Sequence, residues 1–210
     1  AFWNAPARNE DHALPACRCA LECAAAMKRL REAGPNGEPA LPFNLRIGVN
    51  TGRVIVGNIG SEEKIEYTVI GDPVNLANRL EGLNKAYGTG ILIGQTTYEE
   101  VKHDTIVRRV DSVAVKGREA PSTVYELLAI KDDSAGDAAH AGFEWVPVYE
   151  RAYEAFQRGD WRAGLDGFRA VITARGSDGP SAHFASICEE KLTAPPPAAN
   201  ISLLTNRGGA

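Results

Sequence analysis

The sequence predicts a chain of two parts, an α/β or α+β domain over residues 1–130 and a small all-helical region over residues 145–194. In the first part, strand patterns of period two interleave with helical patterns, which is typical of helices packed on a sheet. Residues 131–144 are small and polar and are interpreted as a linker. At 210 residues, the chain is long enough for one well-buried domain and a smaller second one.

The first elements are a helix and three strands. A helical pattern runs from Asp11 to Ala33 and ends at a Gly-Pro-Asn-Gly loop. Strand patterns follow over residues 45–50, 53–59 and 64–70. A turn at Thr51-Gly52 joins the first two, so the second strand is expected to return alongside the first.

The third strand leads through Gly71 directly into a helix over residues 72–85. Asp72 is predicted as the N-cap, and Pro73 falls in the first turn, where proline is tolerated. Asn75 and Arg79 are four residues apart and therefore share one helix face. A separate apolar stripe is expected to pack on a sheet; it comprises Leu76, Leu80 and Leu83.

The remaining pattern adds elements to both parts. The predicted elements of the first part are a strand at 90–94, a helix at 95–102 and strands at 105–110, 112–115 and 123–129. Three helices are predicted after the linker, at 146–157, 161–175 and 181–191. The first two form a helix–turn–helix pair that resembles a tetratricopeptide repeat unit, expected to pack on the first domain or on a partner. Residues 195–210 are expected to be a disordered tail.

Composition excludes several classes of function. The net charge of −4 and the pI of about 5.6 argue against nucleic acid as a partner. No stretch approaches the ~18 apolar residues of a membrane span, and no signal peptide is seen. The absence of an initiator Met indicates a fragment of a longer protein. The four cysteines match no zinc spacing and are interpreted as small buried hydrophobes.

The residues themselves indicate an anion site on the 72–85 helix. The Arg79 guanidinium could stabilise a pentavalent phosphate while the Asn75 amide fixes a sugar oxygen. Lys116, in the loop after the 112–115 strand, could add a charge to a terminal phosphate. The alternative is that Arg79 forms an ordinary surface pair with Glu66 or Glu81, and spacing alone favours that interpretation.

A longer match favours the first interpretation. The run LRIGVNTGRVIVGNIGSEEKIEYTVIGDPVNLANRLEGLNK closely resembles the C-terminal half of the class III nucleotidyl cyclase catalytic domain. AFWNAP at the start resembles the segment after that family's second metal-binding aspartate, and VAVKGREAPSTVYELL resembles its closing strands. The resemblance covers residues 1 to 130 and is best to bacterial sensor-linked adenylate cyclases. It implies a partial ferredoxin-like domain with a mixed sheet.

The resemblance also implies roles for four residues. Asn75 is similar to the family's ribose-orienting asparagine, and Arg79 to its transition-state arginine. Thr68 occupies a base-selecting position, and Lys116 resembles a lysine that contacts the terminal phosphates. The implied function is conversion of ATP to 3′,5′-cyclic AMP and pyrophosphate for intracellular signalling.

The family uses two Mg²⁺ or Mn²⁺ ions in a site shared by a head-to-tail homodimer. Its two metal aspartates are expected upstream of Ala1, so this chain alone is expected to be inactive. The fragment is expected to be cytoplasmic and the parent protein anchored in the plasma membrane.

Three alternatives stay open. The first is a guanylate cyclase, since Thr68 is only half of the base-selecting code. The second is a non-catalytic cyclase-homology module that dimerises and signals. The third is that the C-terminal helices dock a protein partner and are the main functional part.

Overall fold

The computed structural model describes residues 1–32, 44–61, 64–113, 121–131 and 141–193. Lys116, the linker apart from its ends, and the tail lie outside the described residues. The described elements are α1 (Ala13–Glu32), β1 (Ile47–Val49), β2 (Ile55–Ser61), β3 (Lys64–Ile70), α2 (Asp72–Tyr87), β4 (Ile91–Gly94), α3 (Gln95–Val101), β5 (Thr105–Val113), β6 (Ser122–Ile130), α4 (Trp145–Gln157), α5 (Trp161–Arg175) and α6 (Gly179–Thr193).

Four strands form a mixed sheet in the order β1-β4-β6-β5. β1 is parallel to β4, while β6 is antiparallel to both of its neighbours. The predicted fold class, a mixed α/β domain followed by helices, is therefore confirmed. The strand pairing of the first two strands was wrong: β2 does not return along β1 but pairs with β3 in a separate antiparallel hairpin.

β5 is one strand, although two were predicted at residues 105–110 and 112–115. Its pairing with β6 shifts register between Arg109 and Asp111, so one extra residue bulges out and the strand continues. This bulge breaks the alternation of apolar and polar residues, and the broken alternation made one strand resemble two in the sequence.

Helices cover both faces of the sheet, α1 and α3 on one face and α2 on the other. On one face, α1 packs Ala13, Cys17 and Ala20 against a cluster that includes Ile91 and Ile93. On the other face, the core beneath α2 comprises Leu80, Leu92, Val110, Val113 and Val124. Neighbouring β4 residues point to opposite faces, as the period of a strand requires. Each fully buried aliphatic side chain contributes about 1.5–3 kcal/mol.

The cysteine prediction is correct for two residues and wrong for another. Cys17 and Cys188 are buried, and burial raises the pKa of the Cys17 thiol to about 12, so that it stays protonated. Cys23 is exposed, and Cys19 lies between these extremes. Both of these lie on the outer side of α1, because the helix buries only one face against the sheet.

The helical segment, defined as α4–α6 (residues 145–193), has its own core and contacts the sheet domain. Its core contains aromatic side chains from all three helices, including Tyr149, Tyr153, Phe168 and Phe184. Contacts with the sheet domain are made to β5 and to α2. None of the helices in the described part of the chain is long and apolar enough to cross a membrane.

Candidate functional site

The helix α2 presents Asn75 and Arg79 to solvent. Both side chains are exposed, while Leu80, on the other side of the helix, is fully buried. Asp72 was predicted as the N-cap of this helix, but the N-cap is Gly71. Asp72 is the first helical residue and makes no capping side-chain hydrogen bond. Asp72 instead places a negative charge in the first turn, where it interacts favourably with the positive end of the helix dipole.

A buried asparagine fastens the C-terminal part of α2 to the sheet. The side-chain amide of Asn84 donates to the backbone carbonyl of Ile47 in β1 at 3.0 Å, and its oxygen accepts from the Thr89 hydroxyl at 2.8 Å. Gly88 then ends the helix in the left-handed conformation, φ 66°, which glycine adopts without strain. Asn84 was not among the predicted residues, although its position four residues after Leu80 places it on the buried face.

A second asparagine holds the opposite end. The Asn50 side chain, just after β1, donates to the carbonyl of Pro73 in the first turn of α2 at 3.1 Å. The alternating pattern of the strand hid this role, because it assigned Asn50 only to the solvent side. The two asparagines together attach both ends of α2 to β1: Asn84 bonds to the strand itself, and Asn50 extends from the residue just after it.

Close backbone packing sets the height of α2 above the sheet. A Cβ at Gly48 would overlap the backbone carbonyl oxygen of Ala77, so only glycine allows the helix to lie this close to β1. The side-chain donors of Asn75 and Arg79 are therefore carried by an element that is fixed against the sheet along its length. Such preorganisation is what electrostatic stabilisation of a developing charge requires.

Thr68 lies on the β2–β3 hairpin, in the strand that runs directly into α2. It is half-buried and pairs across the hairpin with Gly57. A Cβ at Gly57 would meet nothing within 4 Å, so this position opposite Thr68 is open. Thr68, Asn75 and Arg79 thus belong to one continuous strand–turn–helix unit, while the fourth predicted site residue, Lys116, lies outside the described residues.

The hairpin leaves large apolar side chains exposed. Ile55 is 68% exposed and Ile65 64%, and Tyr67 and Ile70 are each about half exposed. A cluster of exposed apolar residues on one element marks an interaction surface. Ile55 and Ile70 lie on the same face of the hairpin as Thr68, while Ile65 and Tyr67 lie on the opposite face.

One of the two carboxylates considered as a surface partner of Arg79 pairs with another arginine. Glu81, one of the two partners considered for Arg79, accepts a hydrogen bond from the Nε of Arg46 at 2.8 Å. Arg46 is in the segment leading into β1, so this pair also links α2 to the sheet.

The described residues do not fit a metal ion. They contain no group of three or more His, Cys, Asp or Glu side chains that could hold one. What this part of the chain offers to a phosphate substrate is therefore hydrogen-bond donors and a guanidinium charge.

Comparisons with known proteins identify the family of this chain. The sequence profile of the adenylate and guanylate cyclase catalytic domain matches residues 2–129. The chain therefore belongs to the class III adenylate/guanylate cyclase family, and the predicted family is confirmed. The family's enzymes are nucleotidyl cyclases that generally use divalent metal ions.

Two relatives and two solved structures illustrate the similarity. Adenylate cyclase 1 of Rhizobium meliloti (strain 1021) is 39% identical over 146 residues, which cover 66% of this chain and 21% of that protein. The terminal-differentiation specific adenylate cyclase of Dictyostelium discoideum is 32% identical over 149 residues, 70% of this chain and 7% of that protein. The chain thus spans a small part of the length of these curated relatives.

Among solved structures, the adenylyl cyclase CyaB from P. aeruginosa matches with a TM-score of 0.52 and 31% identity, over 61% of this chain and 66% of that one. The guanylyl cyclase Cya2 matches with a TM-score of 0.52 and 34% identity, over 63% of this chain and 65% of that one.

Proposed function

We propose that this chain is part of an adenylate cyclase that converts ATP to 3′,5′-cyclic AMP and pyrophosphate for intracellular signal transduction. The observation that carries the proposal is the exposed face of α2, which presents Asn75 and Arg79 from a helix fastened to the sheet at both ends. In a cyclase-family chain, an amide and a guanidinium in this position can bind a nucleoside triphosphate.

The reaction needs a donor at the α-phosphate. The ribose 3′-hydroxyl gives its proton to solvent as its oxygen attacks the α-phosphorus, the bond to the bridging oxygen breaks, and pyrophosphate leaves with the electron pair. Negative charge grows on the α-phosphate oxygens in the transition state, and the Arg79 guanidinium donates to them there. The Asn75 amide holds the ribose so that the 3′-oxygen is aligned with the phosphorus. Lys116 would bind the terminal phosphates.

Thr68 supports ATP as the substrate. Thr68 lies opposite the open position at Gly57, and its hydroxyl would accept a hydrogen bond from the adenine amino group there. GTP is the second candidate, because the similarity to the solved guanylyl cyclase Cya2 equals that to the adenylyl cyclase CyaB in TM-score.

The apolar surface of the hairpin supports a homodimer. Ile55 and Ile70 are exposed, pair across the hairpin and lie on the same face as Thr68, so covering them with a second cyclase domain would close the site as well as bury the apolar side chains. The metal-holding half of the shared site would come from the partner subunit. The membrane anchoring of the parent protein and a protein partner for the helical segment both stay predictions.

An assay of the full-length protein with ATP and with GTP tests the substrate. We expect cyclic AMP as the main product, and we expect Thr68→Val to reduce the preference for ATP about tenfold, the loss of one hydrogen bond. The matched control is Thr96→Val in α3, away from the hairpin. A product that is mainly cyclic GMP would assign guanylate cyclase activity, and no product with either nucleotide would favour the non-catalytic module.

A further inference from the structure

The helical segment meets the C-terminal end of α2 in a close contact. Gly179, the first residue of α6, lies against the carbonyl group of Tyr87, the last residue of α2, so closely that a Cβ there would overlap it. The positive end of one helix dipole thus lies against the negative end of the other, a favourable arrangement. No larger residue than glycine fits between the two helices at this point.

The Tyr87 side chain extends the same contact. Its ring packs edge-on against His183 of α6, with centroids 5.0 Å apart, and against Phe184 at 6.2 Å. Burial, together with the nearby Asp111 of β5, raises the pKa of Tyr87. Tyr87 therefore joins three elements: the helix with the candidate site residues, the edge strand and the helical segment.

A buried ion cluster fixes α6 in place. Arg108 of β5 is 1% exposed; its Nη1 donates to Asp178 at 2.7 Å, and its Nη2 lies 2.5 Å from Glu126. Asp178 also accepts from the backbone N–H of Ser181 at 3.0 Å and so caps the start of α6. The Arg108 guanidinium is stacked between the Trp145 and Tyr149 rings, 4.8 and 4.7 Å from the two centroids.

This cluster makes the docking geometry specific. Breaking a buried ion pair is costly, so α6 cannot slide along β5 without a loss of stability from separating Asp178 from Arg108. Arg109 adds a second attachment, since its backbone N–H donates to the Glu150 carboxylate at 2.7 Å and its side chain pairs with Glu150 and Glu154. The edge strand is thereby covered by α4.

We propose that the helical segment is a positioning element of the catalytic helix: anchored at Arg108 and Asp178, it presses Gly179 and His183 on Tyr87 and so fixes α2, with Asn75 and Arg79, in its working position. The proposal rests on the proposed function for the roles of Asn75 and Arg79. Gly179 and His183 are then positioning residues that act through Tyr87. This function differs from that of a free docking repeat.

Helix rigidity carries the effect from one end of α2 to the other. Arg79 and Tyr87 are eight residues apart, about 12 Å along the helix axis at 1.5 Å per residue. A shift of about 1 Å at the Tyr87 end would move the guanidinium by a comparable distance, and a misplacement of that size can cost about a hundredfold in rate.

The test compares Gly179→Ala with Gly82→Ala. Gly82 lies on the exposed side of α2, and a methyl group there meets nothing within 4 Å, so this variant adds the same atom without touching the helical segment. His183→Ala is the milder second variant, since His183 is exposed and its loss removes its ring contacts with Tyr87 and Phe184. It keeps the test decisive if Gly179→Ala does not fold.

Two readouts separate this proposal from the proposed function. Amide hydrogen exchange on the chain itself should show faster exchange in residues 80–88 for Gly179→Ala and His183→Ala, and equal or slower exchange there for Gly82→Ala, since alanine favours the helix. In the full-length protein, we expect kcat to fall about tenfold for Gly179→Ala with KM within about twofold, since a displaced Arg79 acts on the transition state. Unchanged exchange in folded Gly179→Ala and His183→Ala would overturn the positioning role, whether or not the protein makes cyclic AMP.

Discussion

The side-chain amide of Asn84 in α2 donates to the main-chain carbonyl of Ile47 in β1 at 3.0 Å, in a position where Asn84 is almost fully buried. The same amide group also reaches the carbonyl of Leu80, and the Asn84 oxygen accepts from Thr89. A polar side chain in the core between helix and sheet thus has partners on both elements. It fixes the axial position of α2 in a way that apolar packing alone does not.

Removing this amide should destabilise the fold. We expect Asn84→Ala to lower the free energy of unfolding by about 1–3 kcal/mol, because the Ile47 carbonyl and the Thr89 hydroxyl lose their partner in the core. Urea denaturation of the chain measures this. The control is Asn78→Ala, an exposed position on the same helix, where a change within ±0.5 kcal/mol is expected. Equal effects at both positions would contradict the role assigned to Asn84.

A charge on the hairpin should weaken dimerisation. Ile55 is 68% exposed on the hairpin face that carries Thr68, and we expect Ile55→Glu to leave the fold intact but to raise the dimer dissociation constant at least tenfold, because a carboxylate would be desolvated in an apolar interface. Sedimentation of the full-length protein over a concentration series measures this. Leu30→Glu is the control, since Leu30 is an exposed apolar residue of α1. Equal dissociation constants for the two variants would argue against a hairpin interface.

Acid should weaken the anchor of α6. Burial opposes the charged form of Asp178, but the hydrogen bond and charge of Arg108 and the N–H of Ser181 outweigh it, and its pKa is lowered below 3.8. A carboxyl with a lowered folded pKa contributes stability that is present above its unfolded pKa and is lost as the pH falls through its folded pKa.

Asp178→Asn isolates this contribution. Asparagine keeps the N-cap but removes the charge, so the wild type should exceed the variant in unfolding free energy by about 1–3 kcal/mol. The difference should be constant from pH 7 to pH 5 and should shrink below pH 3.8. Asp160→Asn, at the exposed N-cap of α5, is the matched control and should show a smaller difference. A pH-independent difference for Asp178→Asn would contradict the ion pair with Arg108.

The periodicity of the sequence was enough to predict most elements but not their pairing. The helices of residues 145–193 and the strand–turn–helix unit were predicted within about two residues. β1 has only three paired residues, and its alternation is the same whether its neighbour is β2 or β4. The pairing of β1 with β4 depends on α2, which lies closely over Gly48. A tertiary contact of this kind produces no periodic pattern in the sequence.

The candidate site divides in a similar way. Thr68, Asn75 and Arg79 could be proposed from the sequence because they lie in one short segment with a strong family resemblance. The supporting residues could not: Asn50 and Asn84 look like ordinary surface polar residues, and their partners are 23 and 37 residues away. Arg108 looks like a surface charge on a strand, and its buried partner Asp178 is 70 residues away.

The central claim is that this chain supplies Asn75 and Arg79 to a site shared between two subunits. Its most direct test is to mix the chain with the full-length protein carrying Arg79→Ala and to measure cyclic AMP formed from ATP. We predict that neither component alone is active and that the mixture is, because the guanidinium of this chain completes the site of its partner. The same mixture made with Arg79→Ala in this chain should stay inactive. A mixture that forms no cyclic AMP, or one that is equally active with either version of the chain, would contradict the account.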